Sequence, residues 1–207
     1  MSSISDIPDA ANSLREQLLL QNNYKEIQEV ALQHLSLRRL VLRIPPKMKY
    51  PPPKGWNKAH SSTEWTMEVS FAYWSRSNGN FNTNIALACG EVSGLIVLDI
   101  DVKDRGMDVW NEYMLKYEEP DTFSVETPNG GLHFYFKYDD RTEHLLTSSK
   151  VLKDENGKIG WDIRSNNGYI ITAPSTDERG REYKFRSESV KVRNIPDWLL
   201  KLLPRKR

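Results

Sequence analysis

One stretch constrains this chain more than any other: Leu95-Ile-Val-Leu-Asp99-Ile-Asp101. An apolar run this short, rich in branched side chains, is strand-sized and far too short to span a bilayer. Side chains alternate faces along a strand. Asp99 and Asp101 therefore share one face, while Leu98 and Ile100 turn to the other and into a core. Two carboxylates so placed repel unless a proton or a cation lies between them. Mg²⁺ and Mn²⁺ prefer such oxygen donors. A strand that ends in two solvated aspartates would carry the same pattern.

The rest of the chain reads as helices and strands mixed, with strands concentrated in the second half. Apolar residues recur at helical spacing from Ala10 to His34, with a break at Asn22-Asn23. Leu40 to Ile44 reads as a strand that stops at Pro45-Pro46, and a proline-rich loop follows to Gly55. Glu64 to Trp74 reads as a helix, and Asn78-Gly79 as a turn. Ile85 to Ala88 and Leu95 to Asp101 read as paired strands across a Gly90 to Gly94 connection. Met107 to Tyr117 follows as a helix. Thr122 to Thr127 and Leu132 to Tyr138 form a hairpin pattern. Trp161 to Arg164 and Gly168 to Thr172 are short strands, and Trp198 to Leu203 is a closing helix. This order predicts an α+β fold with a mainly antiparallel sheet.

Two further motifs carry chemistry. In Thr127-Pro-Asn-Gly130-Gly131-Leu-His133-Phe-Tyr-Phe the glycines permit a tight turn and close backbone approach to a ligand. Leu132, Phe134 and Phe136 take the apolar face of the strand that follows. His133 takes the other face, where it could donate to a phosphate oxygen, carry a proton, or simply satisfy a backbone carbonyl. In Gly160-Trp-Asp162-Ile-Arg164-Ser, Asp162 and Arg164 share a face. That pair is either a third metal-binding carboxylate beside a phosphate-binding guanidinium or a plain cross-strand ion pair. Together the three motifs describe one site for a triphosphate and two metals, and phosphoryl transfer needs mostly positioning and charge neutralisation.

Composition sets limits on this reading. The chain has 207 residues, a net charge of +1 and one cysteine, Cys89. A lone cysteine excludes a disulfide framework and a cysteine-based zinc cluster. The N-terminus lacks a basic flank before an apolar block, so an intracellular protein is expected: cytoplasmic, nuclear, or virus- or plasmid-encoded. No membrane partner is expected. Arg38, Arg39, Arg43, Lys47, Lys49, Lys54 and Lys58 fall in one stretch without an acidic residue. Such a stripe is either a phosphate-binding footprint or a solvated face. Tyr50 and Trp56 within it could stack on bases or pack against the prolines.

Asp-x-Asp, then Gly-Gly-x-His, then Gly-x-Asp-x-Arg followed by Gly-Tyr-Ile-Ile-Thr-Ala-Pro-Ser, resembles the archaeo-eukaryotic primase superfamily. More narrowly it is similar to bifunctional primase–polymerase (prim-pol) N-terminal domains. The resemblance extends from Lys47-Met-Lys-Tyr-Pro and Gly55-Trp56 to Gly180-Arg-Glu-Tyr183. It implies an N-terminal helical segment at 1–36, a catalytic domain at 37–203 and a basic tail at 204–207. The implied fold has two lobes, an α/β module and an RRM-like antiparallel-sheet module, with the active site in the cleft between them. The implied activity is metal-dependent, template-directed nucleotidyl transfer from (d)NTPs to a 3′-hydroxyl in DNA replication. Asp99, Asp101 and Asp162 would hold two divalent ions, Mg²⁺ or Mn²⁺, with no zinc. His133 and Arg164 would hold the nucleotide, assisted by the turn at Gly130 and Gly131. Lys47, Lys49, Lys54 and Lys58 are the candidates for single-stranded template or primer. A replicative helicase, fused or supplied in trans, would complete the machinery. Gly131 stands where the wider superfamily often has serine, a mark of the prim-pol branch.

Two other readings suit the same residues. A metal-dependent nuclease also uses clustered carboxylates with a histidine. A non-catalytic module could bind single strands through the basic stripe alone. A relaxase fits less well, because none of the four histidines forms a closely spaced pair.

Overall fold

The computed structural model describes residues 25–57, 65–77, 79, 81–187, 189 and 191–204. The chain before residue 25 with its Asn22-Asn23 break, together with Lys58, Glu64, Asn78 and the tail 205–207, lies outside the described residues.

Among the described residues the elements run α1 (25–36), β1 (Val41–Ile44), α2 (Met67–Trp74), β2 (Asn84–Ala88) and β3 (Leu95–Ile100). A short 3₁₀ turn (Lys103–Arg105) leads into α3 (Gly106–Met114). Then come β4 (Ser124–Glu126), β5 (Leu132–Lys137), β6 (Leu152–Asp154), β7 (Gly157–Ile159), β8 (Trp161–Arg164), β9 (Tyr169–Ile171), β10 (Lys184–Phe185) and α4 (Asp197–Leu202). The fold is mixed α and β with antiparallel sheets and few helices. A three-stranded sheet has the order β1-β2-β9, a five-stranded sheet the order β10-β4-β5-β3-β8, and β6 and β7 form a small hairpin.

The expected β2–β3 hairpin does not form. β2 pairs with β1 and β9, and β3 pairs with β5 and β8. Residues 90–94 carry the chain from one sheet to the other, leaving a single bridge between Gly90 and Leu95. Gly90 makes this crossing possible: its φ is +86°, and a Cβ there would lie 2.0 Å from the Asn166 side chain. Local alternation cannot reveal which sheet a strand will join. β6, β7 and β10 also went unread, since strands of two or three mostly polar residues leave almost no periodic signal.

Both faces of the five-stranded sheet are covered. Ile96, Leu98 and Ile100 of β3 pack with Phe134 and Phe136 of β5, Trp161 and Ile163 of β8, Trp110 of α3 and Leu199 of α4. Leu95 and Val97 point the other way. They share a core with Val125, Tyr135, the buried residues of β1 and β2, Ala31 of α1 and Trp74 of α2. That second face is apolar only over its first half, and its continuation carries the aspartates.

Candidate active site

Strand register assembles the site. Asp99 sits directly opposite Asp162 on β8 and opposite His133 on β5. His133 in turn sits opposite Val125 on β4. Residues in register across a sheet share a face, so Asp162, Asp99 and His133 form one row over three strands. Asp101 lies two residues beyond Asp99, just past the end of β3.

The row is bonded internally. His133 Nε2 lies 3.3 Å from Asp99 Oδ1. The Arg164 guanidinium donates to Asp162 Oδ2 at 2.8 Å and reaches Asp99 Oδ2 at 3.4 Å. Asp162 Oδ1 accepts the backbone N–H of Lys150 at 2.8 Å. Asp99, Asp162 and His133 are all buried. His133 Nδ1 is buried with no hydrogen-bond partner among the described residues. Tyr183 packs its ring 5.9 Å from the imidazole at a tilt of 37°.

Charge separates the aspartates. Burial pushes the Asp99 pKa up, but His133 and Arg164 outweigh it and hold the carboxyl below its ordinary value. Asp101 goes the opposite way: partial burial and then the charges of Asp99 and Asp162 raise it, against a pull from Lys49 and His133. Three carboxylates thus face one guanidinium, and Asp101 is the one left without an ion-pair partner among the described residues.

That surplus of negative oxygen donors suits a hard divalent cation in kind. Among the described residues no three carboxylate, imidazole or thiolate groups stand close enough as placed to hold a metal ion. Arg164 bridges the two carboxylates of the row instead.

Glycines let the backbone close around Asp101, a role that spacing alone does not reveal. The Asp101 N–H donates to the Gly160 carbonyl at 2.8 Å. A Cβ on Gly106 would lie 2.2 Å from the Asp101 carbonyl oxygen, and one on Gly160 2.2 Å from that of Lys103. Gly131 is needed for the same reason, since its Cβ would meet the Ile100 carbonyl at 2.5 Å. The Gly130 and Gly131 amides donate to Thr127, so both are engaged inside the turn. Arg181 ties this turn to the 177–181 loop by donating to Asn129 and Asp177.

The basic loop is fastened beside the site. The Tyr169 hydroxyl donates to the Lys49 carbonyl at 3.0 Å, and Asn84 donates to that of Met48 at 2.8 Å. Lys47, Lys49 and Lys54 are exposed, as is Tyr50 at 65%. Trp56 packs edge-on against Tyr169, with ring centroids 5.2 Å apart. Lys49 approaches closely enough to act on Asp101. Sequence alone gave no sign of Lys150, which belongs to no motif, and the Gly180-Arg-Glu-Tyr183 motif gave Tyr183 no role beside His133.

No helix among the described residues is long and apolar enough to cross a membrane. The search of curated proteins finds no match to the chain. The family described as bifunctional DNA primase/polymerase, N-terminal, matches residues 29–198, a span that holds every residue of the row and its flanking loops. The Asp-x-Asp, Gly-Gly-x-His and Gly-x-Asp-x-Arg motifs that resembled this family meet through the register of β5, β3 and β8, and the chain belongs to the Prim-Pol family of bifunctional DNA primase/polymerase N-terminal domains.

Proposed function

We propose that this chain is the nucleotidyltransferase domain of a DNA primase/polymerase, extending a 3′-hydroxyl from (d)NTPs on a single-stranded DNA template during replication. The observation that carries this reading is the cross-strand row of Asp162, Asp99 and His133, with Arg164 spanning its carboxylates. The two sheets serve as the two lobes, and the nucleotide enters where the apolar face between them gives way to the aspartates.

Asp99, Asp101 and Asp162 would hold two divalent ions, Mg²⁺ or Mn²⁺, which when bound supply charge neutralisation for the triphosphate and activation of the 3′-hydroxyl. Arg164 offers a planar pair of donors matched to phosphate oxygens, and its release from Asp99 and Asp162 would free it for that role. His133 is buried beside Asp99 and braced by Tyr183, which fixes the imidazole where a phosphate oxygen would arrive. The glycines of the turn at Gly130 and Gly131 let its backbone close against Ile100 just before His133. Lys49 reaches the site from the proline loop, and Lys47, Lys54 and Lys58 would extend its charge along the template or primer. In the reaction the 3′-hydroxyl gives up its proton to solvent as its oxygen bonds to the α-phosphorus, and the bond from that phosphorus to the oxygen of the β-phosphate breaks with departure of pyrophosphate.

The test is the double substitution Asp99→Ala with Asp101→Ala, assayed by extension of a labelled primer. Loss of extension with an unchanged circular dichroism spectrum is expected. Full extension by the double variant rejects the site. Shortening of the primer by the wild-type chain without nucleotides would favour a nuclease instead.

A further inference from the structure

A second basic feature lies outside the proline loop, where Arg43 and Arg76 meet Tyr73. β1 is an edge strand of the three-stranded sheet. Its edge is covered near Val41, whose carbonyl accepts from the Trp65 indole at 2.7 Å and from the Ser70 hydroxyl at 2.6 Å. Two residues further on, Arg43 emerges exposed between buried neighbours. Its guanidinium lies 5.6 Å from the Tyr73 ring and 5.9 Å from that of Trp65. Arg76, exposed just past the end of α2, lies 4.3 Å from the same Tyr73 ring. Val69 and Tyr73 lie about one turn apart on α2, and Val69 is 44% exposed.

Two guanidinium groups thus share one half-buried tyrosine. Neither has a carboxylate partner among the described residues. The acidic side chain of α2, Glu68, is engaged with Thr66 at the helix start. Several other arginines are paired: Arg105 with Asp154, Arg141 with Asp197, Arg181 with Asp177. Two adjacent cations without a carboxylate partner among the described residues repel each other, an electrostatic cost that a polyanion would offset. Guanidinium planes held on an aromatic ring also offer stacking surface to unpaired bases. β1 runs directly into the loop that carries Lys47 and Lys49, so Arg43 and the lysines form one continuous stretch of chain leading toward the site.

We propose that the Arg43–Tyr73–Arg76 surface binds single-stranded nucleic acid, forming the outer part of a track whose inner end is Lys49. Arg43 and Arg76 contact successive phosphates, and the arginine–tyrosine stack supports the bases between them. This proposal rests on the template-directed reading above and adds a surface to it.

The experiment measures binding of a fluorescein-labelled dT₂₀ oligonucleotide by anisotropy, with the full chain, without divalent metal, over a series of NaCl concentrations. Each phosphate contact on a single strand contributes about 0.7 to the slope of log K against log salt. Arg43→Gln with Arg76→Gln is expected to weaken binding severalfold and to reduce that slope by about 1.4. Arg76→Gln alone, which also removes the Nε–H donated to the Tyr73 carbonyl at 3.1 Å, is expected to reduce it by about 0.7. Nucleotide affinity, read separately by calorimetry with dATP and Mg²⁺, should stay unchanged in both. An unchanged slope in the single and double variants overturns the proposal while leaving the active-site reading intact. No binding of the oligonucleotide by the wild-type chain overturns both. Retained oligonucleotide binding with loss of binding to a polyglutamate peptide would assign the surface to an acidic protein and overturn it as well.

Discussion

Replacing Asp101 by asparagine is expected to make the fold more stable while abolishing primer extension. Asparagine keeps the shape of the side chain and removes its charge. Partial burial, then the neighbouring Asp99 and Asp162, raise the Asp101 pKa above its ordinary value of 3.8. A carboxyl raised on folding is a liability whenever it is ionised. The sign follows from linkage: relative to the unfolded chain, the folded chain holds the proton more tightly, so stability is lost as pH rises through the folded pKa. Asp101 is exposed, Lys49 partly offsets its neighbours, and solvent screens the remainder. The gain at neutral pH is therefore at the low end of such substitutions, about 0.5 kcal/mol. For a chain of this length that corresponds to about 1–2 °C in the thermal midpoint. The assay is thermal unfolding by circular dichroism at low ionic strength with a chelator present, from pH 3 to pH 8. The two proteins should melt together at the acid end, where the carboxyl is protonated in both states, and diverge as pH rises. Destabilisation at neutral pH, or a gain that does not vary with pH, would refute the view that Asp101 is held against its electrostatic preference for function.

Three further outcomes follow from the same geometry. Gly106→Ala places a Cβ 2.2 Å from the Asp101 carbonyl and 2.5 Å from that of Gly160, so it should cost about 2 kcal/mol in urea unfolding and depress extension by displacing Asp101. Arg164→Gln leaves Asp99 and Asp162 facing each other. Removing one partner of a buried pair costs about 3–5 kcal/mol, and Arg164 is 28% exposed, so about 1–3 kcal/mol is expected at neutral pH. Because the Asp99 pKa is lowered in the fold, the wild-type contribution is present above the ordinary carboxylate range and lost as pH falls through the folded value; the two proteins should converge in acid. His34 is fully buried, with Nδ1 accepting from Arg39 at 3.1 Å, and burial followed by the Arg39 charge lowers its pKa from 6.5 to about 3. Between those values the unfolded chain binds a proton that the folded chain refuses, so stability should fall by about 1.4 kcal/mol per pH unit on acidification. His34→Gln should flatten that limb of the unfolding curve, and an unaltered limb would show that His34 protonates in the folded chain.

The sequence by itself determined the identity of the parts. Period-two alternation placed Asp99 with Asp101, Asp162 with Arg164, and His133 opposite Leu132 and Phe134, because a strand fixes the facing of its own side chains whatever it pairs with. The helices α2, α3 and α4 and most strand centres were legible for the same local reason. Tertiary structure alone decided which parts meet. Residues 99, 133 and 162 lie far apart in the chain, and only the order β5-β3-β8 and its register set them in a row. A slip of one residue in either pairing would have turned His133 or Asp162 into the opposite core. The sheet assignments of β2 and β3, the polar hairpin of β6 and β7, and the glycines that admit Asp101 are likewise set by long-range packing. Those contacts join segments whose own sequences say nothing about each other. Hydrophobic pattern is a local property of the chain, and register is an agreement between distant strands.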